Sequence, residues 1–125
     1  MNIGIIDADL IGKKKHRFPN LACMKISSYH KSQGHNVKLL LSYDDIENYD
    51  KVFLSKVFTD TPIPEGITDL SWVEYGGTGF FYDKATPLPY EIEHSKPDYH
   101  LYDEFVAMAL ANGAKKKELE YYTDY

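Results

Sequence analysis

Ile3-Gly4-Ile5-Ile6 is a continuous apolar run near the start of this chain, and it ends at Asp7. Hydrophobicity that is continuous rather than alternating is typical of a strand buried on both faces, as in a parallel sheet. A polar loop is expected to follow, from Asp7 to Arg17. The run therefore predicts the central strand of an α/β domain.

A helix is predicted from Pro19-Asn20 to about Gln33, because apolar residues recur there at roughly helical spacing. Gly34 suits the residue after the helix, where a left-handed backbone is common. Residues 36–41 are again apolar and predict a second strand. Strand, helix and strand form a βαβ unit, which should cross over with a right hand.

Two more strands are predicted at residues 51–55 and 72–75, and a second helix at 99–111. Prolines indicate irregular chain from 83 to 98. Strands that alternate with helices predict an α/β fold with three layers, flavodoxin-like or Rossmann-like, built on a mostly parallel sheet of four to five strands. The expected strand order is 2-1-3-4, with ligands at the carboxyl ends of the strands.

Composition limits the possible classes of protein. A chain of 125 residues with 43% hydrophobic residues fits one globular domain, spanning residues 1–125. The net charge of -5 makes a nucleic-acid partner unexpected. The single cysteine, Cys23, can form neither an internal disulfide nor a site with several thiolates. The sequence shows neither a signal peptide nor an apolar run long enough for a membrane span, so we expect a cytoplasmic protein without a membrane partner.

Asp7 and Asp9 stand at the carboxyl end of the first predicted strand, where α/β sheets bind ligands. Two carboxylates at this spacing can hold Mg²⁺, as the acidic pair of receiver domains does. The alternative is that Asp7 caps the loop and Asp9 is solvated. A receiver domain would also need an aspartate where the third strand ends, and Ser55-Lys56 stands there instead.

Gly76, Gly77, Thr78 and Gly79 form the second candidate site, in the loop that leaves the fourth strand. Glycines allow backbone amides to approach an anion or a planar cofactor. The alternative is a tight turn after an edge strand. The spacing matches neither of the usual phosphate-binding glycine motifs.

Other polar segments favour structural roles. The basic run from Lys13 to Arg17 could bind phosphate, but solvated loops commonly have this composition. His30 and His35 flank Gly34 at a helix end, where the helix dipole favours a cation. No histidine pair has metal-binding spacing, and no nucleophile–base arrangement can be assembled. The sequence therefore predicts no catalytic residue and no metal site.

Several segments resemble the cobalamin-binding-like N-terminal domains of radical S-adenosylmethionine (SAM) Fe–S oxidoreductases. The similar stretches are Phe18–Ala22 with Gly34–Val37, Tyr49–Ser55, Gly76–Phe80 and the tail Tyr121–Tyr125. The resemblance implies a fragment of a longer bacterial protein, in which this domain is the accessory part. The 4Fe-4S cluster and S-adenosylmethionine would belong to a downstream radical SAM domain of the same polypeptide, which would be the partner of this one.

The resemblance also implies that cobalamin or a substrate binds at the carboxyl ends of the strands. Asp7, Asp9, Thr78 and the amides of the three loop glycines would form that site. Two departures matter. The C-x3-C-x2-C cluster motif of the family is absent, and the D-x-H-x-x-G cobalt-ligand motif is matched only in its first half, at Asp98-Tyr99-His100.

Two alternative functions remain open from the sequence. The prolines and the tyrosines of the last third of the chain suit a non-enzymatic interaction module that docks on another domain or forms a homodimer. Asp7 and Asp9 suit a Mg²⁺-dependent phosphoacceptor.

Overall fold

Four short strands form one parallel sheet in the computed structural model, which describes residues 1–12, 19–77 and 88–114. The strand order is β2-β1-β3-β4, and every neighbouring pair is parallel. Ile5 of the first strand lies between Leu39 and Phe53 of its neighbours. The prediction of an α/β fold with order 2-1-3-4 is confirmed. The strands are β1 (Asn2–Asp7), β2 (Asn36–Leu39), β3 (Lys51–Ser55) and β4 (Val73–Gly76).

Within those described ranges, two longer and two shorter α-helices accompany the sheet: α1 (Ala8–Gly12), α2 (Leu21–Ser32), α3 (Tyr90–Glu93) and α4 (Asp103–Ala111). The α2 helix has the predicted bounds. Its N-cap is Asn20, whose side chain accepts a hydrogen bond from the Cys23 amide, and Gly34 follows it with a φ of 85°. No helix among the described ranges is long and apolar enough to cross a membrane.

A short helix, Tyr90–Glu93, lies in the segment that was expected to be irregular, and β4 covers Val73–Gly76 rather than 72–75. Three other predicted boundaries also differ. Residues 8–12 were expected in a polar loop but form α1, because the Asp7 carboxylate accepts a hydrogen bond from the Leu10 amide and so starts a helical turn. The second strand ends at Leu39 rather than at residue 41. The last helix begins at Asp103 rather than at 99, since Asp98 holds the preceding residues in a turn through the His100 amide.

Side chains alternate between the two faces of the sheet, as strand geometry requires. Ile5, Leu39 and Phe53 face α2 and α4 and pack with Cys23, Met24, Ile92, Leu101, Tyr102 and Val106. Ile6, Leu40 and Leu54 face the other side with Val52, Ile67 and Val73. Gly4 also lies on this second face, where a Cβ atom would stand 2.7 Å from the Leu40 side chain. Both faces are therefore covered, which explains the unbroken apolar run of β1.

Asp98 fastens the irregular segment before α4 onto α2. Its amide donates to the Met24 carbonyl at 3.0 Å, and its carboxylate accepts from Ser27 Oγ at 2.7 Å and from Lys31 Nζ at 2.6 Å. Burial alone would raise the pKa of Asp98, but the bonds from Lys31, Ser27 and the His100 amide lower it below its ordinary value. The ionised carboxylate therefore stabilises the fold.

Replacing Asp98 with asparagine should lower the free energy of unfolding by about 1.5–3 kcal/mol at neutral pH, because the charged acceptor of the Ser27 and Lys31 bonds is lost. The folded pKa of Asp98 is depressed, so its contribution is present above the unfolded value of about 3.9 and disappears as the pH falls through the folded pKa. Urea unfolding at about pH 7 and about pH 3 should show the difference between the variant and wild type shrinking in acid.

Glu93→Gln is the matched control. It removes the Lys25–Glu93 ion pair, whose glutamate is half exposed, and exposed pairs contribute about 0.2–1 kcal/mol at most. A cost for Asp98→Asn no larger than that of the control would contradict the assigned role of Asp98.

Candidate functional site

The carboxyl ends of β1, β3 and β4 meet at one edge of the sheet, which we call the carboxyl edge. The strand register places Asp7 beside Ser55 and Ser55 beside Gly76. Asn20, the N-cap of α2, reaches the same edge because its side-chain Nδ2 donates to Ser55 Oγ at 2.9 Å. Asp7, Asp9, Gly76 and Gly77 lie in the described part of the chain, whereas Thr78 and Gly79 lie outside it.

Asp7 is 1% exposed and has hydrogen-bond donors on both carboxylate oxygens. Oδ1 accepts from the Leu10 amide at 3.2 Å, and Oδ2 accepts from the Tyr102 hydroxyl at 2.7 Å. The Tyr102 oxygen in turn accepts from the Asn20 amide at 2.8 Å. A buried carboxylate needs such donors to remain in the fold. Asp7 thus caps the chain that follows β1, as one reading of the sequence proposed, and also holds α2 and the start of α4.

Burial raises the pKa of two weakly acidic side chains beside this network, those of Tyr102 and Cys23. Burial is the main cause that raises the pKa of the Tyr102 hydroxyl well above its usual range, and the Cys23 thiol and the Asp7 carboxylate add to it. Burial likewise raises the pKa of Cys23, with Asp7 as the next cause. Cys23 is therefore a neutral thiol in the core, which is not a nucleophile or a metal ligand.

Asp9 is 0% exposed and fixes the chain that follows β3. Its carboxylate accepts from the amides of Val57 at 2.8 Å and Phe58 at 3.2 Å, and from Thr61 Oγ1 at 2.7 Å. Lys56, also buried, points its ammonium group toward the Thr61 carbonyl at 3.4 Å. Asp9 is thus buried rather than solvated, and the loop after β3 folds around its carboxylate.

Gly77 is required by the backbone of the neighbouring strand. It has a φ of 104°, and a Cβ atom on it would stand 2.4 Å from the Lys56 carbonyl oxygen. The Lys56 amide donates to the Gly76 carbonyl at 3.1 Å, so β4 leaves the sheet in contact with the end of β3. This packing accounts for Gly77 without a ligand. The prediction that the glycine amides bind a cofactor stays a prediction.

Sequence reasoning missed two residues of the carboxyl edge. Tyr102 is 95 positions from Asp7, and no local pattern links them. Tyr43, which follows β2, has a buried hydroxyl without a hydrogen-bond partner. Burial, followed by the charges of Asp7 and Asp9, raises the pKa of Tyr43 to about 12. Its hydroxyl therefore stays protonated and can donate one hydrogen bond to a water molecule or a small polar group.

The described residues form a small cleft beside β2, away from Asp7 and Asp9, and no cluster of metal-binding side chains. Within the described ranges, histidine, cysteine, aspartate and glutamate side chains form no group of three that could hold a metal. A cleft beside β2 and α4, lined by Val37, Leu39, Leu101 and Phe105 among others, has a volume of about 110 Å³. Pockets for small molecules usually measure about 300–1,000 Å³. A corrin ring is larger than a typical drug, so this cleft cannot enclose one.

Comparison of the chain with protein-family models, with curated proteins and with solved structures found no match.

Tyr102→Phe should lower the free energy of unfolding by about 1–3 kcal/mol, because it removes the hydroxyl that donates to buried Asp7 and accepts from the Asn20 amide. Tyr90→Phe is the matched control, since Tyr90 is 71% exposed. Equal unfolding free energies for the two variants, measured in urea, would show that the Tyr102 hydroxyl does not hold the carboxyl edge together.

Proposed function

We propose that this chain is the accessory N-terminal domain of a radical S-adenosylmethionine Fe–S oxidoreductase, and that it performs no catalytic step itself. The resemblance of its βαβ segments to such domains is the basis of the proposal. The observation that supports it most is the parallel sheet in the order β2-β1-β3-β4, which brings those segments into one α/β unit.

The chemistry of the carboxyl edge favours an accessory role. Asp7 and Asp9, the buried acids expected to meet a ligand, are hydrogen-bonded to Leu10, Tyr102 and the loop after β3. Cys23 is buried and neutral. These groups hold strands and loops in place, which suits a domain that supports chemistry performed elsewhere in a larger polypeptide.

The proposal is tested first by its expectation of a downstream radical SAM domain. The residues encoded after Tyr125 should include three cysteines in the spacing C-x3-C-x2-C. The longer polypeptide, reconstituted anaerobically with iron and sulfide, should then show the broad visible absorbance of a 4Fe-4S cluster. A reading frame that lacks the motif would refute the proposed family.

Cys23→Ala provides the control within the longer polypeptide. Because Cys23 is fully buried on α2, its replacement should leave the cluster absorbance unchanged, whereas alanine at any of the three downstream cysteines should abolish it. Loss of the cluster in Cys23→Ala would contradict the assignment of Cys23 to the core.

Cobalamin is the cofactor that the family resemblance suggests for the carboxyl edge. The internal hydrogen bonds of Asp7 and Asp9 favour a domain that keeps the fold without this cofactor. Hydroxocobalamin mixed with the chain at high micromolar concentration should therefore keep its free visible spectrum. A saturable spectral change, weakened by Gly77→Ala but not by the exposed change Tyr90→Phe, would instead place cobalamin at this edge.

A further inference from the structure

We propose that His30 and its neighbours form an acid-sensitive contact, through which a fall in pH below neutrality releases the last turn of α2 from the sheet. This inference goes beyond the proposed function and does not depend on it. It concerns the amino ends of the strands, at the opposite end of the sheet from the carboxyl edge that holds Asp7 and Asp9.

His30 lies in the last turn of α2 with its imidazole turned inward. Its ring centroid is 5.0 Å from that of Phe53 on β3 and 5.1 Å from that of Tyr29, which stands edge-on to it. Both ring nitrogens are buried, and neither has a hydrogen-bond partner. A neutral imidazole offers one donor and one acceptor, and a protonated one offers two donors. The pocket therefore leaves the hydrogen-bonding groups of both forms unpaired, and burial costs the charged form more free energy than the neutral one.

Most of the ionisable groups that surround His30 in the described part of the chain are bases. His35 lies 6.0 Å away between ring centroids, and its Nδ1 is 3.0 Å from the Met1 amine. Lys51 on β3 lies over the Phe53 ring and pairs with the Glu74 carboxylate of β4 at 3.1 Å. Burial, followed by His35 and Lys51, lowers the pKa of His30, while Glu74 opposes the shift.

Proton linkage gives the direction of the effect. The folded pKa of His30 is below its unfolded value of about 6.5. The packed state therefore keeps its full stability above that pH and loses stability as the pH falls below it. The helix dipole favours a cation at the end of α2, but His30 faces the Phe53 ring in the pocket. Opening of the last turn would return the imidazole to water, where it can take up the proton.

Opening would have a local consequence. The last turn of α2 leads through Gly34 into β2, an edge strand of the sheet, and the amide of Asn36 donates to the Met1 carbonyl where that strand begins. Release of His30 would therefore loosen the α2–β2 connection before it affects β1 and β3, which are buried in the centre of the sheet.

Amide hydrogen exchange from about pH 8 to about pH 5, corrected for the intrinsic rate, tests the proposal. Amides of residues 29–33 should open more as the pH falls, by at most about tenfold per pH unit for a single proton. Amides of β1 and β3 should keep their protection. His30→Leu and His30→Phe, which fill the pocket with a side chain that cannot be protonated, should remove the pH dependence. His100→Gln, at a side chain that is 84% exposed, should retain it.

Two results would overturn the proposal. One is the same acid-induced opening of residues 29–33 in both His30 variants. The other requires no variant: in an NMR titration of the wild-type chain, the His30 ring resonances would titrate at or above about pH 6.5, the ordinary value for histidine. Titration of His30 clearly below that value, together with loss of the pH dependence in either folded variant, is the expected outcome.

Discussion

A hydrogen bond from the Tyr102 hydroxyl to the Asp7 carboxylate joins the end of the first strand to a turn that lies 95 residues later. Asp7 is buried, and a buried carboxylate is tolerated only where donors replace the water that it has lost. The Leu10 amide is another donor to Asp7, and the Tyr102 oxygen accepts a hydrogen bond from the Asn20 amide. The starts of α1 and α2 and the approach to α4 are all positioned by this one constraint.

The same constraint shapes the functional interpretation. An open ligand site at the end of a parallel sheet presents polar groups that await a partner, as the general rule for α/β folds describes. Here Asp7, Asp9, Asn20 and Ser55 bond to groups of the chain itself. Among the residues that the structure describes, Tyr43 contributes a buried hydroxyl that has no hydrogen-bond partner at this edge. An accessory domain that supports a neighbouring catalytic domain is consistent with such an edge.

Much of the fold could be predicted from local sequence patterns. The continuous run Ile3–Ile6 is buried on both faces, and α2 begins after its N-cap Asn20 and ends before Gly34 because capping follows from residue type. Loop residues 8–12 were predicted wrongly, since their helical turn depends on a side-chain bond to Asp7 that composition does not reveal. Position along a strand likewise explains why Asp7 and Gly76 reach one edge.

The details of the carboxyl edge could not be predicted in this way. Whether Asp9 is solvated or buried depends on the loop that folds around it, about 50 positions later in the chain. The need for glycine at position 77 comes from the Lys56 carbonyl, which lies where a Cβ atom would be. His30 was expected to face the helix dipole, yet tertiary packing turns its ring onto Phe53. Each case depends on a contact between distant segments, which one sequence does not encode locally.

The coupling between Asp7 and Tyr102 is the central claim, and a double-mutant cycle measures it most directly. Unfolding free energies are determined in urea for wild type, Asp7→Ala, Tyr102→Phe and the double variant. The buried hydrogen bond predicts a coupling of about 1–3 kcal/mol, because either single change already removes the shared bond. Additive effects, within about 0.3–0.5 kcal/mol, would contradict the account.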